Sequence, residues 1–92
     1  MFLHVTEVNY LEDYKLRLRF DNGIIKDVDL GDELYGKVFE PLKEIELFKQ
    51  VVVNRDTNTI EWPKGADFAP EYLYVIGQEV EQAETVVNVA AA

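Results

Sequence analysis

The stretch Tyr14-Lys15-Leu16-Arg17-Leu18-Arg19-Phe20 alternates apolar and cationic side chains without a break. A period of two places Tyr14, Leu16, Leu18 and Phe20 on one face and the three cations on the other. That is the pattern of an antiparallel strand with one buried face. Asp21-Asn22-Gly23 follows, and Ile24 to Leu30 reads as the return strand. A two-residue loop at Asn22-Gly23 would set Leu18 against Asp27 and Arg17 against Val28, mixing core with solvent. A three-residue loop pairs Phe20 with Ile24, Leu16 with Val28 and Tyr14 with Leu30. It also sets Arg17 against Asp27 and Lys15 against Asp29, leaving only Leu18 against Lys26 awkward. The expected turn is therefore of type I over Asp21–Gly23, with Gly23 in the left-handed region. A slip of one residue would turn the apolar set to water, so this register is strongly specified.

The remaining elements are shorter. Residues 2–8 read as a strand and Asn9 to Asp13 as a turn, while Asp32 to Gly36 allows a single helical turn. Pro41 suits a first helical position, and Leu42, Ile45 and Phe48 recur at helical spacing, predicting a helix over 41–50. Val51 to Arg55 and Thr59 to Trp62 read as two further strands around a loop of two or four residues. The expected pairs are Val53 with Trp62 and Arg55 with Ile60. Pro63 to Ala66 is an irregular connection, and Glu71 to Ile76 a short helix ended by Gly77. The expected fold is α+β: a small antiparallel or mixed sheet of hairpins covered by short helices.

A chain of 92 residues supports one core. The expected domain is 1–77, followed by an acidic tail, 78–92, that frays or is ordered by a partner. No apolar run is long enough for a transmembrane helix, and the acidic start lacks the features of a secretory signal. Without cysteine there is no disulfide framework and no sulfur-ligated zinc. These exclusions suit a cytoplasmic protein of bacterial type, and no cofactor or metal site is expected.

Eighteen acids against nine bases give a net charge of −9. Such a surface repels phosphate backbones and anionic lipid, so neither nucleic acid nor membrane is expected as a direct partner. It favours encounter with a basic protein, and a homo-oligomer is compatible with it.

Reactive side chains are scarce. Serine is absent along with cysteine, which removes the usual triad and dyad nucleophiles. His4 sits among apolar neighbours with no second histidine to share a metal. Asp27, Asp29, Asp32 and Glu33 form the densest acid cluster, but their spacing is not that of a calcium-binding loop. The expected register assigns Asp27 and Asp29 to cross-strand pairing with Arg17 and Lys15. The cations of 15–19 alternate with Tyr14 and Phe20, so they lack the stacking aromatics of an RNA-binding sheet on their own face. Trp62 to Tyr74 is the most distinctive stretch. Read as local packing, it puts Trp62 and Leu73 in the core and makes Asp67 a helix cap. Read as a recognition loop, it presents Lys64, Asp67, Glu71 and Tyr74 to a partner.

The order Tyr14-x-Leu16-x-Leu18-x-Phe20-x-x-Gly23, Val28-Asp29-Leu30, Phe39-x-x-Leu42, Phe48 and Trp62-Pro63-x-Gly65-x-Asp67-x-Ala69-Pro70-Glu71-x-Leu73-Tyr74 resembles the bacterial domain-of-unknown-function family 2442. The resemblance covers about residues 2–76, and its tryptophan-proline half is the specific part. Lys64 stands where that family commonly has Asn, and the turn from Asp56 to Thr59 lacks a glycine often found there. The resemblance implies a small sheet covered by short helices and assigns no activity. Some relatives carry a C-terminal helix-turn-helix, for which this sequence has no room after Gly77. Others are encoded beside a second small protein, as toxin–antitoxin pairs are.

Together these readings point to a non-enzymatic protein-interaction module, an acidic antitoxin-like partner in a small two-protein system. One rival is a domain associated with a transcription regulator that reaches DNA through a partner. The other is an enzyme working through carboxylates such as Asp27, Asp29 and Asp67.

Overall fold

In the computed structural model, which describes residues 3–80, the chain is an α+β fold built on two antiparallel sheets. β1 (Val5–Glu12), β2 (Lys15–Phe20) and β3 (Ile25–Asp29) form a meander, and β6 (Gln78–Glu79) closes its far edge in the order β1-β2-β3-β6. β4 (Val52–Asn54) and β5 (Thr59–Glu61) make a separate two-stranded sheet. The helices are short: α1 (Ile45–Phe48), α2 (Pro70–Ile76) and 3-10 turns at Gly31–Glu33, Glu40–Lys43 and Pro63–Gly65.

The β2–β3 hairpin has the register expected from its alternation. Leu16 pairs with Val28, Arg17 with Asp27 and Leu18 with Lys26. The Phe20 amide donates to the Ile24 carbonyl, and the Gly23 amide donates back to Phe20. Gly23 takes φ +88°, a conformation in which a Cβ is penalised. Lys26, on the core side opposite Leu18, resolves the awkward pair by reaching over α2. Its ammonium donates to the Tyr74 carbonyl at 2.6 Å and lies 3.8 Å from the Tyr74 ring centre. The aliphatic stem covers apolar surface while the charge meets the last turn of a helix.

Other expectations needed correction. β1 runs through the expected Asn9–Asp13 turn to Glu12, with irregularities between Val5 and Glu7 and between Tyr10 and Glu12. These shifts keep Val8 opposite Leu18 and Tyr10 opposite Leu16, so cross-strand burial outweighs the polar composition. The turn itself contracts onto Asp13, at φ +49°. The helix expected over 41–50 is broken at Glu44, whose ψ of 115° is extended. Leu42 and Phe48 both reach the core, but from two separate turns, and Ile45 stays half-buried. β4 and β5 pair Val53 with Ile60 and Asn54 with Thr59, not in the expected register. Asn54 decides this. Its side-chain oxygen accepts from the amides of Asp56 and Thr57, and Asn58 enters the left-handed region, which makes a four-residue loop. Gln78 and Glu79, placed in the tail by the sequence reading, pair with β3, and the Val80 amide donates to Ile25. The rest of that tail, 81–92, lies outside the described residues.

One core joins the elements. Leu16, Leu18, Phe20 and Val28 from the sheet meet Leu30, Leu34, Leu42, Phe48, Ile60, Trp62 and Leu73. Trp62 and Leu73 are fully buried, as the packing reading of that segment expected. Among the described residues, no helix is long and apolar enough to cross a membrane.

Candidate functional site

The solvent face of the sheet is a ladder of ion pairs. Arg17 grips Asp27 with two hydrogen bonds, Nε at 2.7 Å and Nη2 at 3.0 Å, and Arg19 Nε reaches Glu7 at 3.0 Å. The Arg17 hydrogen bond and charge hold the Asp27 carboxyl below the usual aspartate range, and Asp27 in turn raises the Arg17 pKa. Lys15 corrects the sequence reading. It stands opposite Asp29 in register, but its ion pair is with Glu12 at 3.6 Å, while the Asp29 carboxylate accepts from the Gly31 amide at 2.9 Å. The cations of β2 are thus matched by acids on their own sheet, leaving no positive stripe to track a phosphate backbone.

The acids named as catalytic candidates do not form one cluster. Asp27 and Asp29 flank one polar depression with Lys15, while the exposed Asp67 forms a backbone bridge with Glu61. A general acid near neutral pH needs a raised carboxyl pKa, and that of Asp27 is lowered. Among the described residues no group of three or more His, Asp or Glu side chains is placed to hold a metal. His4 Nδ1 lies 3.4 Å from Asp21 Oδ2 at the edge of the hairpin.

The four residues proposed for recognition do not converge. Lys64 sits at the tip of the Pro63–Gly65 turn with φ +79°, followed by Gly65 at +94°. Glu71 is exposed in the first turn of α2. Asp67 does not cap that helix: its N-cap is Ala69, with no side-chain bond, and Pro70 at the first position needs no amide partner. Tyr74 is turned the other way, onto the hairpin. Its ring stands edge-on to Phe20 at 5.0 Å, and its hydroxyl accepts from Asn22 at 3.3 Å.

What Lys64 does border is an apolar groove. Val38, Pro41, Leu42 and Leu47 form one wall, and Pro63, Lys64 and Ala66 the other. Its volume is about 70 Å³, room for one aliphatic side chain, whereas small-molecule sites commonly run to ~300–1,000 Å³. Val38 is 62% exposed and Leu47 39%, so apolar surface continues past the groove. Gly36, at φ +88°, turns the chain so that the amides of Phe39 and Glu40 both donate to its carbonyl. That bend carries Val38 outward while Leu34 and Leu42 go inward.

Beside the groove runs a ladder of rings. Phe39 stacks on Phe68 at 4.6 Å, and Phe68 lies nearly parallel to Tyr72 at 6.2 Å. The Tyr72 hydroxyl donates to Glu33. That bond, together with burial, the charge of Glu33 and the nearby Tyr35 phenol once ionised, raises the Tyr72 pKa above the ordinary tyrosine value. Sequence reasoning missed Val38, Leu47, Tyr35 and Tyr72. The signal present was the apolar content of 34–39, which has no clean period and therefore marks no face.

Comparison with known proteins places this architecture. A family model described as "Protein of unknown function (DUF2442)" matches residues 5–79. The crystal structure of a Nitrosomonas europaea protein described as a "putative DNA binding protein" is similar, with a TM-score of 0.73 and 27% identity. The match covers 83% of this chain and 49% of that one, so the chain spans about half the length of that neighbour. No curated protein matches.

Proposed function

We propose that this chain, which belongs to the DUF2442 family of proteins of unknown function, is a protein-interaction module that holds a basic partner. The observation that carries the reading is the apolar groove with exposed Val38 and Leu47 at its rim. A cleft that accepts one aliphatic side chain suits an anchor residue of another protein better than a metabolite. The net charge of −9 supports a basic partner, because it steers such a protein toward this molecule. Lys64, which has no ion pair among the described residues, then marks the end of the groove that the partner's cations avoid. The role is that of an antitoxin-like member of a two-protein system, masking its partner by steric and electrostatic contact.

The test is co-expression with the protein encoded beside it, followed by co-purification at low salt. A complex is expected, and the double substitution Val38→Glu with Leu47→Glu should dissolve it while the circular dichroism spectrum is unchanged. A complex indifferent to both charges, or none at all, refutes the reading.

The neighbour described as DNA-binding favours a second reading, in which the domain belongs to a regulator that reaches DNA through another segment or partner. Fluorescence anisotropy with duplex DNA separates the two. Salt-sensitive binding that appears only when the co-purified partner is present supports the second reading.

A further inference from the structure

Tyr35 stands apart from the other tyrosines. Tyr10 donates to the Asp13 carbonyl and faces Lys49, Tyr14 packs on Phe48 and donates to Lys43, and Tyr74 lies under Lys26. Tyr35 is 70% exposed and has no hydrogen bond or ring contact among the described residues. Leu34, fully buried, pins the backbone between it and Glu33. The Tyr72 hydroxyl is bonded to the Glu33 carboxylate, and Tyr35 is near enough to act on that hydroxyl electrostatically, so an aromatic edge and a fixed anion stand side by side. Asp32 and Glu71 add negative charge, and neither they nor Glu33 take part in an ion pair among the described residues. The nearest cation along the segment is Lys37, beyond the bend at Gly36. This molecule brings a cation to a tyrosine face elsewhere, at 3.8 Å for Lys26 over Tyr74 and 5.6 Å for Lys49 over Tyr10.

We propose that Tyr35, Tyr72 and Glu33 form a receptor for one arginine side chain of the basic partner. A guanidinium is planar and weakly hydrated. It can lie on a phenol ring while its N–H fork reaches the Glu33 carboxylate, which an ammonium does less well. The slot adjoins the groove, since Phe39 follows Val38 and Phe68 lies two residues beyond Ala66. An apolar anchor and an arginine from one partner segment therefore meet this face together. The source of the arginine rests on the reading given under Proposed function; the slot itself does not.

The experiment titrates the uniformly ¹⁵N-labelled full chain with N-acetylarginine amide, followed by amide chemical shifts. N-acetylcitrulline amide, of nearly the same shape and uncharged, is the control. Saturable shifts centred on Glu33, Tyr35 and Tyr72 are expected with arginine only. Tyr35→Ala and Glu33→Gln should each weaken them by about threefold or more, and Val38→Glu with Leu47→Glu should leave them intact. Equal shifts with citrulline, shifts centred elsewhere, no saturation, or indifference to both slot substitutions would each overturn the proposal. If the slot titrates as expected and the groove substitutions fail to release the co-purified partner, the groove reading falls while the slot stands.

Discussion

The Trp62 indole N–H donates to the Phe48 carbonyl oxygen at 2.7 Å, and the two rings lie 5.6 Å apart. Both residues are fully buried. One contact therefore ties the end of α1 to the residue after β5, and so locks one wall of the groove to the other. Trp62→Phe removes the donor and strands a buried acceptor, which costs about 1–3 kcal/mol before the lost volume is counted. Urea denaturation should show that loss as a lower midpoint with an unchanged slope, and exchange of the Phe48 amide, which is bonded to the Glu44 carbonyl, should speed up with it.

Two glycines separate strain from collision. At Gly23 a Cβ would meet nothing within 4 Å, but φ is +88°. Gly23→Ala should therefore cost about 1–2 kcal/mol, the left-handed penalty. At Gly77 the backbone is ordinary, yet a Cβ would stand 2.9 Å from Val28 Cγ2 and 3.0 Å from the Leu73 carbonyl. Gly77→Ala should cost about 1–3 kcal/mol by overpacking. Hydrogen exchange distinguishes them: only Gly77→Ala should expose the Val80 amide ahead of global unfolding.

Lys64 occupies φ +79° without the tolerance of glycine or asparagine. Lys64→Gly trades that strain against a more flexible unfolded chain, with a net gain of about 0.5–1 kcal/mol. A rise in thermal midpoint checks it. A fall would mean that the lysine side chain stabilises the turn by contacts that outweigh its backbone.

Asp27 titrates below the usual aspartate range because Arg17 is bonded to it. A depressed folded pKa gives stability that is complete above the unfolded value, and that is lost as pH falls through the folded one. Arg17→Gln should return the Asp27 carboxyl resonance to ordinary titration and flatten this part of the acid dependence. An unchanged Asp27 titration in that variant contradicts the pairing.

The hairpin was legible because its information is local. Alternation over Tyr14–Phe20 and a turn sequence at Asp21–Gly23 leave one register that buries one face, and no distant contact was needed to choose it. The core role of Phe20 followed from the same alternation, those of Leu42 and Phe48 from helical spacing, and those of Trp62 and Leu73 from the packing reading of their segment. The candidate site was less legible. Of Lys64, Asp67, Glu71 and Tyr74, only Lys64 borders the groove, and Tyr74 is turned onto the hairpin by Phe20 and Lys26. Which way a half-buried tyrosine points depends on what packs against its helix, and spacing along the chain carries no record of that.

The amino-acid order by itself thus determined the strand pattern, the hairpin register, the acidic surface and the lack of serine and cysteine nucleophiles. Tertiary structure decided the break at Glu44, the attachment of Gln78–Glu79 to β3, and the meeting of the 38–47 segment with Pro63–Ala66 that makes the groove. The difference lies in range. Period and turn chemistry act between neighbours, whereas a groove exists only where residues more than 15 apart in the chain are brought together by a core they share.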